Sequence, residues 1–245
     1  MRYRMIAVCL LVACSTTMAD ESAKLKDIQK KITERSKKHN SVQYKMKMTT
    51  DMSQAGMSIK SETNSTIKYM KKDDKVLSRM ESTTNMEMKG NGMDQKSETK
   101  STSVVDGEYA WSYSETMGMK NASKMKVEKD KDPFDPAAIW DQFDVVLKDD
   151  ETIDGKKCWV LEMTPRNPMM KQQMSKSVTY YDQESALMIK QVGYDNQGKV
   201  MTTMSVSDVK LNESMDPKTF TFTPPPGVEV QDLTNAKGGM PGMGG

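Results

Sequence analysis

The sequence predicts a mainly β, α+β protein: an antiparallel meander of about ten strands, one N-terminal helix and one short helical insert. Three observations carry this. Apolar residues recur at every second position over most of 42–211, the period of a strand with one buried face. Asn91-Gly92, Asp106-Gly107 and Asp154-Gly155 punctuate that rhythm as hairpin turn signals. Only near the N-terminus, at Leu25, Ile28 and Ile32, does the spacing change to three and four, which draws one narrow helical stripe.

Taken in order, Met1-Arg-Tyr-Arg4 is basic and Met5 to Ala13 is an apolar run of nine residues. That run is too short to span a bilayer and suits the core of a secretory signal. Thr17-Met18-Ala19 satisfies the small-x-small rule, so residues 1–19 are expected to be a signal peptide, with the exported chain starting at Asp20. Leu11-Val-Ala-Cys14 offers the alternative, a lipobox that would anchor the protein through an acylated Cys14.

A helix is expected from Glu21 to about His39, with Ser22 as its N-cap. Val42, Tyr44, Met46 and Met48 then alternate with polar residues up to a turn at Gln54-Ala-Gly56. Met57, Ile59, Ile67 and Tyr69 continue the rhythm to a turn at Lys72-Asp-Asp-Lys75, and Val76, Met80, Met86 and Met88 share the next parity. Gln95 to Ser103 is a polar arm; Tyr109, Trp111 and Tyr113 line one face of the strand after it. The rhythm breaks at Lys129 to Asp135, and Pro136 to Phe143 reads as a short helix with Pro at its start. Trp159, Leu161 and Met163 alternate up to Pro165, and strands follow at Val178–Asp182, Leu187–Tyr194 and Lys199–Leu211. Residues 20–233 form one domain, and 234–245 form a flexible tail rich in Gly and Met. So large a sheet must cover its apolar face, either as two layers or by curling, with the helices on its concave side.

Composition excludes several kinds of chemistry. Lys and Arg total 36 against 34 acidic residues, and losing Arg2 and Arg4 with the leader leaves 34 of each, so no electrostatic case for nucleic acid exists. Cys9 and Cys14 fall in the leader, which leaves Cys158 as a lone thiol with no intrachain disulfide. A catalytic Cys needs a His partner, and His39 is the single His; Cys158 is expected to pack as a small hydrophobe. Asp73-Asp74 and Asp149-Asp-Glu151 sit among Lys and turn residues and read as solvated loops. No phosphate loop, nucleophile–base set or zinc spacing is present, so no catalytic residue, metal site or cofactor is expected.

The 25 Met residues are unusual, and pairs such as Met46/Met48, Met86/Met88 and Met117/Met119 put two thioethers on one strand face. Three readings stand: core filler in place of Leu and Val, a lining that repacks around irregular guests, or a soft site for Cu(I).

Near the end, Phe220-Thr-Phe-Thr-Pro-Pro-Pro-Gly-Val-Glu-Val230 reads as a strand, a rigid proline corner and a second strand. It closely resembles the C-terminal signature of the LolA family, periplasmic carriers of bacterial lipoproteins. Val104-Val-Asp-Gly-Glu-Tyr-Ala-Trp-Ser-Tyr113 is similar to that family's Asp-Gly hairpin, and Tyr69-Met-Lys-Lys72 with Arg79-Met-Glu81 to its early strand pair. Gln191 to Val200 resembles its penultimate hairpin. Where the family has an Arg before a Pro that latches the lid, this chain has Lys72 before Asp73.

The resemblance implies an incomplete β-barrel whose concave face is covered by helices over an apolar, acyl-binding cavity. It implies a non-enzymatic periplasmic carrier or chaperone, a monomer, for acylated lipoproteins or other lipids. An inner-membrane donor and an outer-membrane acceptor would be its partners. Val42, Tyr44, Met46, Met48, Ile67, Tyr69, Met80, Trp111 and Tyr113 are then the expected lining. Leu25, Ile28 and Ile32, with Ile139 and Trp140, are the expected movable cover. The alternatives are an envelope sensor or interaction protein on the same fold and a Met-rich copper-binding protein.

Overall fold

The computed structural model describes residues 13–54, 56–127 and 136–234. The expected leader up to residue 12, the break at 128–135 and the tail from 235 lie outside the described residues. Helix α1 (Ala13–Ser36) is followed by six strands: β1 (Ser41–Gln54), β2 (Met57–Lys72), β3 (Lys75–Gly90), β4 (Met93–Val105), β5 (Tyr109–Thr116) and β6 (Met119–Lys126). Then come α2 (Pro136–Trp140), β7 (Phe143–Ile153), β8 (Lys156–Pro165), α3 (Pro168–Gln173), β9 (Lys176–Asp182), β10 (Met188–Tyr194) and β11 (Val200–Leu211). A single 3-10 turn, Pro217–Phe220, and a short β12 (Val230–Asp232) end the described chain.

All twelve strands belong to one open sheet in the order β12-β6-β5-β4-β3-β2-β1-β11-β10-β9-β8-β7. The hairpins close where the turn signals stand. Asn91 and Gly92 both have positive φ, as do Asp154 and Gly155, and two such residues match the right-handed twist of the flanking strands. At Gly90 the close approach is absolute: a Cβ there would lie 2.1 Å from the Gly56 carbonyl oxygen, so the β3 tip can pass the β1–β2 turn only without a side chain.

Several expectations are corrected. Among the described residues the strands number twelve, and β12 runs parallel to β6, against the all-antiparallel meander. Phe220 to Thr223 is no strand: Phe220 ends the 3-10 turn that Asp216 caps, and only Val230 onward joins a ladder. Alternation alone does not make a strand where three prolines remove the donors beside it. Ser22 lies inside α1 and caps nothing. The helical insert stops at Trp140, and Phe143 opens β7. The one-and-a-half-turn α3, capped by Asn167 with Pro168 after it, had no apolar period to announce it.

The two faces of the sheet are fixed by register. Ile28 and Ile32 of α1, almost fully buried, pack with Trp140, Phe143, Trp159, Leu161, Met163 and Tyr181, and Leu25 joins them half-buried. This defines a helix face of the sheet. On the opposite face of β8 to β10 lies a second cluster of Cys158, Val160, Tyr180, Ile189 and Val192. Cys158 is fully buried there, and burial pushes its thiol pKa up. Because the thiolate is the reactive form, native protein should react with a thiol reagent only as fast as it opens. Rapid stoichiometric labelling without denaturant would contradict the packing described.

Candidate functional site

A cavity of about 580 Å³ lies on the helix face, walled by β1, β2 and β9 to β11 and bordered by the C-terminal end of α1 and by Ile139. Its walls follow from the pairing. Tyr44 and Met46 alternate inward on β1, Tyr69 opposes Val42, and Val206 and Met204 oppose Met46 and Met48. Gln191 then opposes Met204, and Thr179 opposes Gln191. Leu187, Met188 and Met163 complete the apolar lining. The wall is apolar with few polar groups, the usual build of a small-molecule site.

The end of α1 is tied down over this space. Arg35 donates to the Gln183 carbonyl and stacks over Trp159 at 5.3 Å, and His39 Nε2 lies 2.7 Å from the Ser185 carbonyl oxygen. That contact puts the proton on Nε2, and Nδ1 is left buried with no hydrogen-bond partner. Inside, Gln191 Nε2 donates to Thr179 Oγ1 at 3.1 Å. Burial alone raises the Tyr44 pKa.

Tyr181, edge-on to Trp140 at 6.2 Å, has its pKa pushed by burial to about 12; the Trp140 indole nitrogen opposes this weakly, short of hydrogen-bond geometry. The folded state therefore holds that proton more tightly than the unfolded chain, whose tyrosines titrate near 10. The stability this confers is present below pH ~10 and is lost as pH rises toward ~12, about 2–3 kcal/mol in all. Urea unfolding across that range should show the fall, and Tyr181→Phe should flatten it. An equal slope in the variant would mean that Tyr181 is not buried as described.

Of the nine expected lining residues, Val42, Tyr44, Met46 and Tyr69 border the cavity. Met48, Ile67 and Met80 share its face and do not border it, because the surface changes character beside them. Met46 opposes a row of hydroxyls, Ser65, Ser82, Ser101 and Ser114, and Met48 opposes Thr63, Thr84, Thr99 and Thr116. Thr63 and Thr84 bond at 2.9 Å, Thr99 and Thr116 at 2.8 Å, and Ser82 and Ser101 at 3.2 Å. The apolar surface of the helix face is therefore interrupted across β2 to β5, and the apolar lining ends at this hydroxyl field.

Trp111 and Tyr113 are on the other face. Val104 pairs with Trp111 and Arg79 with Val104, whereas Met80 pairs with Ser103 and Ser103 with Ser112. Trp111 stacks on Phe222 at 5.6 Å and donates to Asp106 at 2.8 Å, and Lys124 lies over Tyr109 at 3.7 Å. Arg79 Nη1 reaches the Thr219 and Thr221 carbonyls at 3.4 Å. These residues hold the C-terminal segment across the back of the sheet. They are structural neighbours of the strap, not of the cavity.

Of the residues expected as cover, Ile28, Ile32 and Trp140 are buried in the core, and Ile139, the one of them that borders the cavity, is 45% exposed. The residues missed include Ser36, Lys37, His39 and Lys71, but most lie in the second half of the chain. Met204 and Val206 alternate visibly in the sequence, but only the β1–β11 pairing brings them beside Met46 and Met48. His39 and Cys158 sit on opposite faces of the sheet. Among the described residues, no group of three or more His, Cys, Asp or Glu could hold a metal, and no helix is long and apolar enough to cross a membrane.

A family model described as "Uncharacterized protein" matches residues 137–224. An outer-membrane lipoprotein carrier protein of Pseudoalteromonas translucida (strain TAC 125) is 32% identical over 107 residues, 44% of this chain; the chain thus spans less than half of that relative, also 44%. Among solved structures, an uncharacterized conserved protein from Thermus thermophilus matches with a TM-score of 0.53 at 12% identity, over 85% of this chain and 99% of its own. At that identity the likeness speaks for the fold alone. A LolA superfamily protein from Nitrosomonas europaea matches at 14% identity over 79% of this chain and 97% of its own, with a TM-score of 0.29. The described strands form one open twelve-stranded sheet, and 107 residues of the chain are similar to part of a lipoprotein carrier.

Proposed function

We propose that this chain is a non-enzymatic, exported carrier that shields acyl chains of lipoproteins or other lipids in the cavity beneath α1. The observation that carries the reading is the cavity itself, about 580 Å³ lined mainly by Met, Val, Tyr and Leu side chains. Each methylene kept from water is worth about 0.8 kcal/mol, so a free acyl chain would hold its bearer in a membrane. A water-soluble pocket of this kind offers comparable burial and lets the chain go when a deeper one is met. The likeness to a lipoprotein carrier over 44% of the chain points the same way.

In this reading the sheet is an incomplete barrel, and its helix face is the concave one. Leu25, Ile28 and Ile32 of α1, with Ile139 and Trp140, act as a cover that swings to admit cargo. Cleavage after Ala19 frees the carrier in the periplasm, and an acylated Cys14 would instead fix it to a membrane as an acceptor. Mass spectrometry of protein purified without lipid stripping tests the reading. Co-purifying acylated molecules are expected, and lipid-free protein that also fails to bind a fluorescent fatty acid would overturn it.

A further inference from the structure

We infer that Met46, Met48 and Met204 together form a site for a soft monovalent cation, Cu(I). The inference goes beyond the carrier reading and does not depend on it. Along the chain, Met46 and Met48 share a strand face, but two thioethers make a poor site and spacing shows no third. The pairing of β1 with β11 supplies it. Met204 stands directly opposite Met48, and Val206 opposite Met46, within an unbroken register from Lys45 to Thr50. All three methionines are half-buried on the helix face.

Strand geometry sets the distances. Side chains directly opposite in an antiparallel pair have Cβ atoms about 5 Å apart, and diagonal neighbours lie about 7 Å apart, within reach of a long side chain. Alternate positions along one strand are also about 7 Å apart. The Cβ atoms of Met48, Met204 and Met46 therefore outline a small triangle on one face. Each sulfur sits on an unbranched arm with freely turning bonds, so the three can swing together over the centre of that triangle.

Ligand chemistry names the ion. A thioether sulfur is uncharged and polarizable, which suits Cu(I); Zn²⁺ takes thiolate and imidazole, and Ca²⁺ and Mg²⁺ take oxygen. The choice of residue argues the same way. Val and Ile are the better strand formers, and Val206, beside Met46, shows that a β-branched side chain fits this wall. A wall that had only to be apolar needs no three thioethers at adjoining positions. Their half-burial also leaves them within reach of an ion arriving from solvent.

Anaerobic titration of the full chain with Cu(I) held by bicinchoninate tests the site, with Zn²⁺ as the comparison ion. The protein should draw Cu(I) from the chelator, and X-ray absorption of the first equivalent should show sulfur neighbours only. Met48→Leu and Met204→Leu conserve volume and are tolerated by a fold. Each should weaken that first equivalent at least about tenfold, since even a residue that only supports a metal ligand is worth that much. Met80→Leu, on the same face with Ile67 and Ser103 as its cross-strand neighbours, should change nothing. Met48 does not border the cavity, so its leucine variant should bind fatty acid as the native chain does, which separates this site from the carrier reading. Failure to take Cu(I) from the chelator would overturn the site. So would Zn²⁺ bound as tightly, nitrogen or oxygen around the copper, or equal affinity in all three leucine variants.

Discussion

Replacing Met46 with Asp is expected to abolish fatty-acid binding while the protein still folds, and replacing Lys47 with Asp is expected to leave binding intact. Adjacent residues in a strand point to opposite faces. Met46 borders the cavity, and Lys47 faces away and pairs with Glu62 at 2.8 Å, with both side chains about half exposed. An aspartate at 46 would place an unpaired carboxylate against the acyl chain, where burial of the ion costs far more than the chain gains from its nearest methylenes. Met46 is only half-buried, so a charge there stays partly hydrated and the fold survives. At Lys47 the change removes one surface ion pair and sets two exposed carboxylates near each other, and solvent screens both effects. Circular dichroism and fluorescent fatty-acid titration of both variants decide the matter. Equal binding by the two would mean that the helix face is an ordinary packing surface, and the carrier reading would fall.

Phe220→Ala should bring the largest loss of stability of any change outside the main core. Phe220 is 2% exposed at the end of the 3-10 turn, which packs on β3 while Arg79 holds the carbonyls on either side of it. Truncating a buried Phe costs about 3–5 kcal/mol. For a chain of this length each kcal/mol moves Tm by roughly 2–4 °C, so a fall on the order of 10 °C is expected. Ligand affinity of the folded fraction should not change, because Phe220 lies behind the sheet. A calorimetric scan with little shift would show that the C-terminal strap is only loosely docked, and a loss of affinity at unchanged Tm would show that it reaches the cavity.

How much of this could be read from the chain differs by element. The strands and their turns were legible because their causes are local. Alternation and the φ > 0 residues of Asn91-Gly92 and Asp154-Gly155 act within a few positions. The stripe at Leu25, Ile28 and Ile32 likewise announced α1 and the side by which it packs. Val42, Tyr44, Met46 and Tyr69 were legible as one apolar face because β1 and β2 form a simple hairpin with an unbroken register.

Trp111 and Tyr113 show where local reasoning stops. Their alternation is as regular as that of Tyr44 and Met46, but the face on which a strand's apolar set falls depends on register, and a shift of one residue reverses it. Through two successive hairpins, Trp111 comes to share a face with Arg79 and not with Met80. The aromatic side chains there are satisfied by Phe222, over one hundred positions away in the chain. The hydroxyl rows follow the same logic: Ser65, Ser82, Ser101 and Ser114 look like scattered polar residues until pairing aligns them.

The sequence by itself thus determined that this protein is a β-rich chain with an N-terminal amphipathic helix and a proline-stiffened C-terminus, since periodicity and turn chemistry are properties of neighbours. Only the tertiary structure decided that β1 closes against β11, and with it that Met204, Val206, Gln191 and Thr179 wall the space above Met46. Pairing of strands so far apart is chosen by burial over the whole sheet, a sum that no window of residues contains.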